Sequence, residues 1–200
     1  MRSLDLKLLR DVWGLRGQAL AIAVVIAGGV ATFVMSHSTI DALRRTQRTF
    51  YLESRFATVF CSLKRAPDTL EERIAEIPGV DQVETRVVAS INLEIPGFDD
   101  PAVALLLSVP DSGEPRLNRV RLREGRMVDP NHEDEVVASE AFADAHGLHP
   151  GARLHAVING RRETLTLVGI GYSPEFVYQI RPGDVFPDFE RYAILWLARR

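Results

Sequence analysis

The sequence predicts an α/β domain, an α+β arrangement built on a mixed sheet, preceded by one long transmembrane helix. Three observations carry this. Residues 17–36 hold no charged side chain, and Ala19–Met35 is apolar apart from Gly28, Gly29 and Thr32. Beyond residue 68, short alternating or continuously apolar runs are separated by turns rich in Pro and Gly. Between those runs, Thr69 with Glu72, and Ser139, supply the residue types that start helices.

The apolar run is long enough to cross a bilayer: about 20 residues at ~1.5 Å each match a hydrocarbon core of ~30 Å. A helix is the conformation that satisfies all of its backbone groups there. Ala19–Val30 has no polar stripe, which an amphipathic helix of a soluble protein would show. The run also exceeds the ~7–15 apolar residues of a cleaved signal peptide. Ala21, Ala23, Ala27, Gly28, Gly29 and Ala31 leave little side-chain bulk. They read equally as a face for a second helix or as the ordinary composition of a spanning segment. Arg2, Lys7, Arg10 and Arg16 precede the run and Arg44, Arg45 and Arg48 follow it, so charge does not fix the orientation.

Residues 1–18 read as a cytoplasmic amphipathic elbow, with Leu4, Leu8, Val12 and Leu15 at helical spacing and Trp13 suited to the interface. Residues 19–36 are the transmembrane helix. Residues 37–55, with Ile40, Leu43, Phe50 and Tyr51 among polar residues, extend it as a helical stalk.

Residues 56–200 form the main domain. A capping box of Thr69 and Glu72 starts a helix with Leu70, Ile74 and Ile77 on one face, which Pro78 and Gly79 end. Val83–Ile95 alternates as one strand and is closed by Pro96 and Gly97. Ala102–Val109 is apolar throughout and predicts a more central strand. Glu135–Ala138 is a short strand, followed by a helix capped by Ser139 that ends at Gly147. Arg153–Ile158 and Arg161–Ile170 flank Asn159-Gly160, a two-residue hairpin turn of left-handed preference. Tyr192–Leu197 predicts a last strand.

Composition narrows the function. The net charge of −3 offers no basic field for nucleic acid. Cys61 is the only cysteine, so neither an intrachain disulfide nor a cysteine-built zinc site can form. A core of ~140 residues needs no such staple. No Gly-x-x-x-x-Gly-Lys-Ser/Thr occurs, so ATP hydrolysis belongs to another polypeptide. Gly169-Ile170-Gly171 is an isolated Gly-x-Gly with no helix behind it. His132, Glu133, Asp134 and Glu135 read as a solvated acidic loop, because consecutive side chains diverge. His146 and His149 flank a helix end, where histidines meet terminal carbonyls. Ser139 lacks the Gly-x-Ser-x-Gly setting of a hydrolase nucleophile. No catalytic, cofactor-binding or metal-ligating residue is therefore predicted, and the chain is not expected to be an enzyme.

The stretch Arg10-Asp11-Val12-Trp13-Gly14-Leu15-Arg16-Gly17-Gln18-Ala19 and the later Ile77-Pro78-Gly79-Val80 carry a family likeness. So do Gly125-Arg126, Glu135–Ala143, Gly147–Gly151 and Val168-Gly169-Ile170. Together they resemble the FtsX-like and MacB-like permease family of ABC transporters, in which a spanning helix leads into a periplasmic core domain. The resemblance implies a permease subunit in the bacterial inner membrane, paired with a second permease subunit as a homo- or heterodimer and with a cytoplasmic ABC ATPase subunit. It also implies that 56–200 is extracytoplasmic, and that the output is transport, extraction of a lipoprotein or other lipid-linked cargo, or mechanical activation of an extracytoplasmic protein partner. Such permeases have further spanning helices, so the 200 residues are expected to be an N-terminal portion. The alternative is a single-pass anchored sensor or binding domain; a membrane-tethered hydrolase would need a pocket where nucleophile, base and orienting group converge.

Overall fold

The computed structural model describes the whole chain except residues 1–6, 8, 9, 12, 68, 111–113 and 200. The elbow's Leu4, Leu8 and Val12 lie outside the described residues, while Lys7, Arg10, Asp11, Trp13 and Gly14 are helical. The predicted fold class holds, with one long apolar helix and a mixed sheet. The chain forms two compact units that divide between Thr49 and Phe50.

Helix α1 runs unbroken over Arg16–Glu53, 38 residues, through both the predicted span and the predicted stalk. None of its residues is buried. Its hydroxyls at Thr32 and Thr39 donate to the carbonyls of Gly28 and Met35, at 2.9 and 2.8 Å, so neither is left needing water.

The second unit begins with the last turn of α1. It continues through α2 (Thr69–Ala75), β1 (Val88–Ile95), β2 (Phe98–Val109), β3 (Arg121–Gly125), β4 (Glu135–Ser139) and α3 (Glu140–Ala145). β5 (Arg153–Ile158), β6 (Arg161–Tyr172), a 3-10 turn (Pro174–Phe176) and β7 (Tyr192–Ala198) complete it. The strands form one seven-stranded sheet in the order β3-β6-β4-β7-β2-β1-β5. β5 also pairs with β6, which closes the sheet into a ring that leaves β3 outside. The 12 residues of β6 allow this: Arg161–Thr166 pairs with β5, Thr166–Gly171 with β4, and Gly169–Tyr172 with β3. β2–β7 and β4–β6 are parallel and the remaining pairs antiparallel.

Alternate residues of the ring strands meet in one cluster: Leu93, Ala104, Ala138, Leu154, Ala156, Leu167, Ala193 and Leu195, with Phe142 of α3 packed among them. The alternation of Ala with Leu suits a narrow ring, whose interior fills when large and small side chains interleave. The opposite faces of β2, β4 and β7 form a second cluster, in which Leu107, Val137, Ile194 and Trp196 are covered by Val128, Met127 and Phe176. Phe176 meets Trp196 edge-on, with ring centroids 6.2 Å apart.

Most expected elements stand, with two corrections. The strand expected over Val83–Ile95 begins only at Val88, which pairs with Leu107 of β2: the Val87 carbonyl still accepts from the Ser108 amide at 2.9 Å, but the Val87 amide donates to the Ser108 hydroxyl at 2.8 Å instead of continuing the backbone ladder. At residues 84–86, side chains make the links. Glu84 accepts from the amides of Arg116 and Leu117, Thr85 donates to Glu71, and Arg86 grips Glu175. Ser139 stands at the predicted cap position of α3 but makes no capping bond. Its hydroxyl donates to Gln179 at 3.0 Å and accepts from the Ile194 amide, tying β4 to β7 and the loop before it. Gly169, expected near the end of a strand, sits in β6, where a Cβ would collide with the Arg126 carbonyl. It lets β3 and the chain after it cross β6 closely.

Candidate functional site

Residues 50–57, the last turn of α1 and its exit, are tied to the sheet by a set of specific contacts. Helix α1 ends without glycine. Arg55 takes the left-handed conformation (φ 49°) that usually falls to Gly at this place. The closing bonds are those of a left-handed helix end: the Phe56 amide donates to Tyr51 O at 2.9 Å and the Arg55 amide to Leu52 O at 3.2 Å. The apolar contact that accompanies this ending is present too, as Tyr51 and Phe56 stack at 4.7 Å. An L-residue in this conformation is strained by ~1–2 kcal/mol, so surrounding contacts must hold it.

Asn118 supplies most of them. Its amide donates to Arg55 O at 2.9 Å, its Oδ1 accepts from the Ala57 amide at 2.8 Å, and its carbonyl accepts from the Ser173 hydroxyl at 3.3 Å. The neighbouring Arg119 amide donates to Ser54 O at 2.8 Å. Asn118 is itself left-handed (φ 49°), a conformation that Asn tolerates better than most residues. Ser54 is fully buried at this point, and its Oγ has no hydrogen-bond partner among the described residues. Around the helix end, Arg121 of β3 pairs with Glu53 and lies over the Phe50 ring at 5.9 Å. Phe50 in turn packs on Tyr172, the last residue of β6, at 5.8 Å.

β3 is a strip of clamps. Besides Arg121, Arg123 binds Glu140 at 2.7 Å and takes Asp144 in a two-point grip at 2.7 and 2.8 Å, which joins β3 to α3. The hydrogen bonds to Asp144 and then Glu140 raise the Arg123 pKa, and the guanidinium holds Asp144 below the usual carboxylate range. Just past β3, Arg126 holds Glu135 with two bonds, and the Asp129 amide adds a third at 2.9 Å. Arg126 first, and that amide after it, lower the Glu135 pKa although burial opposes them. Loss of stability on acidification follows when such a carboxylate protonates.

The residues singled out in the sequence do not converge. Glu135 is buried at the start of β4, whereas Asp134 accepts from Thr166 and His132 faces Asp129 at 3.4 Å. The reading of one solvated acidic loop therefore fails for Glu135. The His146 ring packs on Phe98 and Phe142 and its Nε2 meets the Glu190 carbonyl at 2.8 Å, a strand-side partner rather than a helix carbonyl. His149 lies 3.7 Å from Glu124, and Cys61 is exposed. Among the described residues no three His, Cys, Asp or Glu side chains group as metal ligands. An open depression of about 610 Å³ is lined by Ala145, Arg181, Asp184, Phe186, Phe189 and Arg191 among others. Its two arginines are already engaged, Arg181 with Asp184 and Arg191 with Asp100.

No family model and no curated protein matches the sequence. Among solved structures, the chain is similar to the extracellular domain of the noncanonic ABC-type transporter YknZ from Gram-positive bacteria: 14% identity and a TM-score of 0.43, covering 66% of this chain and 61% of that one. It is also similar to the periplasmic region of MacB from Actinobacillus actinomycetemcomitans: 13% identity and a TM-score of 0.40, covering 68% and 56%. The chain thus spans less than two thirds of either domain's length.

Proposed function

We propose that the chain is the N-terminal part of an ABC transporter permease subunit, in which residues 19–36 cross the membrane, 37–55 form a stalk and 56–200 form an extracytoplasmic domain. One observation supports this above the others: α1 leaves residues 20–36 exposed yet ends in a turn packed into the sheet domain's own architecture. Lipid satisfies the first feature and a mechanical connection the second. Motion of the spanning helix, driven by a cytoplasmic ABC ATPase subunit and shared with a second permease subunit, would reach the sheet through Arg55, Asn118 and Ser173. The output is work on an extracytoplasmic partner or lipid-linked cargo, and this chain's residues perform no chemistry in it.

Affinity purification of the full chain from its native membranes tests the reading. A co-purifying protein that carries Gly-x-x-x-x-Gly-Lys-Ser/Thr is the expected result. An alkaline-extractable chain, or a reporter at Asp100 active only in the cytoplasm, overturns it. A chain recovered intact from membranes with no ATPase favours the anchored binding domain instead.

A further inference from the structure

We propose that Arg44, Arg45 and Arg48 form a collar on α1 that binds the phosphates of anionic lipid headgroups. The inference rests on the reading of α1 as a bilayer-spanning helix and adds the class of lipid that the helix selects. All three arginines are exposed, and none has an ion pair or hydrogen bond among the described residues. The acids of the same helix are engaged: Asp41 faces His37 at 3.3 Å, and Glu53 is held by Arg121. At ~100° per residue, positions 44, 45 and 48 fall within one arc of about 100°.

Their depth suits headgroups. Arg44 and Arg45 follow Ser36, the end of the uncharged run, by about 12 and 14 Å along the helix. An arginine side chain that bends back toward the membrane recovers roughly 6 Å of this. That brings the Arg44 guanidinium, about 6 Å out, into a headgroup layer ~5–7 Å thick and the Arg45 guanidinium, about 8 Å out, to its outer edge. Arg48 stands ~6 Å farther out, where it senses the surface potential without contact. A guanidinium fork matches phosphate oxygens in two-point geometry. A second copy of the helix is a poorer occupant, because symmetric pairing on this face would bring the same cations together.

The test uses the full chain reconstituted in phosphatidylcholine vesicles with or without about 30% phosphatidylglycerol, an anionic fraction able to set up the surface potential. Phenylglyoxal modification of each arginine is followed by mass spectrometry and scaled to the exposed Arg153. The expected result is a roughly five-fold slower reaction at Arg44 and Arg45 in the anionic vesicles, a smaller slowing at Arg48, and recovery in high salt. Equal rates in the two vesicles, with the chain still resistant to alkaline extraction, overturn the collar alone. Protection that is independent of lipid charge but deepens with the protein-to-lipid ratio also overturns it, in favour of self-association. Release of the chain by alkaline extraction removes the spanning premise and the collar with it.

Discussion

β7 and the first half of α1 are both nearly continuous apolar text, Tyr-Ala-Ile-Leu-Trp-Leu-Ala in one and Ala-Ile-Ala-Val-Val-Ile-Ala in the other. Their fates are opposite. β7 is flanked by β2 and β4, covered on both faces, and Ala193, Ile194 and Leu195 have no exposed surface. In α1, Val25 is 74% exposed and Phe33 71%. Hydrophobicity thus says that a segment must be covered, and the rest of the chain decides by what. A seven-residue strand finds two neighbours in its own sheet, whereas no residue of the 38-residue helix is buried. That helix is long and apolar enough to cross a membrane.

The comparison is broken most forcefully by placing the same kind of damage in each segment. Leu195→Ala opens a cavity at the centre of the ring and is expected to remove about 2–5 kcal/mol from the domain's unfolding free energy in urea. It should leave membrane retention unchanged. Ile26→Arg puts a charge at the middle of α1 and is expected to disfavour insertion by roughly 2.5–3.5 kcal/mol, read as the fraction resisting alkaline extraction. It should leave the urea midpoint of the sheet domain where it was. If Ile26→Arg instead destabilised the sheet domain, α1 would be covered by protein rather than lipid.

The joint sharpens the comparison, since it is where the exposed helix acquires protein contacts. Asn118→Ala deletes the acceptor for the Ala57 amide and forces alanine into the left-handed region, for an expected loss of about 1–3 kcal/mol. Asn118→Asp keeps both the acceptor and the tolerance of that conformation, and should stay near the parent. Hydrogen exchange at the Ser54, Arg55 and Phe56 amides reports whether the loss falls at the helix end, as the bonding pattern requires.

What could be read in advance followed from how local its cause was. The β5–β6 hairpin was legible because Asn159-Gly160 encodes its own turn, and both residues adopt positive φ (49° and 77°). β2 and β4 were legible from their apolar runs, but their parallel partners were not, because pairing of distant segments leaves no mark at either one. β3 escaped notice: Arg-Leu-Arg-Glu-Gly has no apolar face, and it is held by Arg123's carboxylates and by close passage over Gly169. The joint was equally silent, since Arg55 stands where a glycine would have announced the helix end. Ser139 was placed correctly and its task misread, because a serine before a helix has the same signature whether its hydroxyl caps the helix or reaches Gln179.

The smallest expected effect is a pH dependence that belongs to the sheet domain and not to the helix. Arg126 holds the folded-state pKa of Glu135 below its ordinary value of 4.5. In the unfolded chain that carboxylate titrates near ~4.3. Proton binding then favours the unfolded state as pH falls, so the pair's stabilisation is complete above the unfolded pKa and lost as pH drops through the folded one. Asp144, lowered by Arg123, and Asp129, lowered by the Asn131 amide and side chain, add to the same acid limb. Arg126→Gln removes the main cause at Glu135 while burial, which raises the pKa, stays in place. The acid midpoint of unfolding, followed by Trp196 fluorescence in a Trp13→Phe background, should therefore move to higher pH. Glu135→Gln made on top of Arg126→Gln should cancel that shift, whereas a midpoint unmoved by Arg126→Gln would mean that the Asp129 amide alone keeps Glu135 ionised.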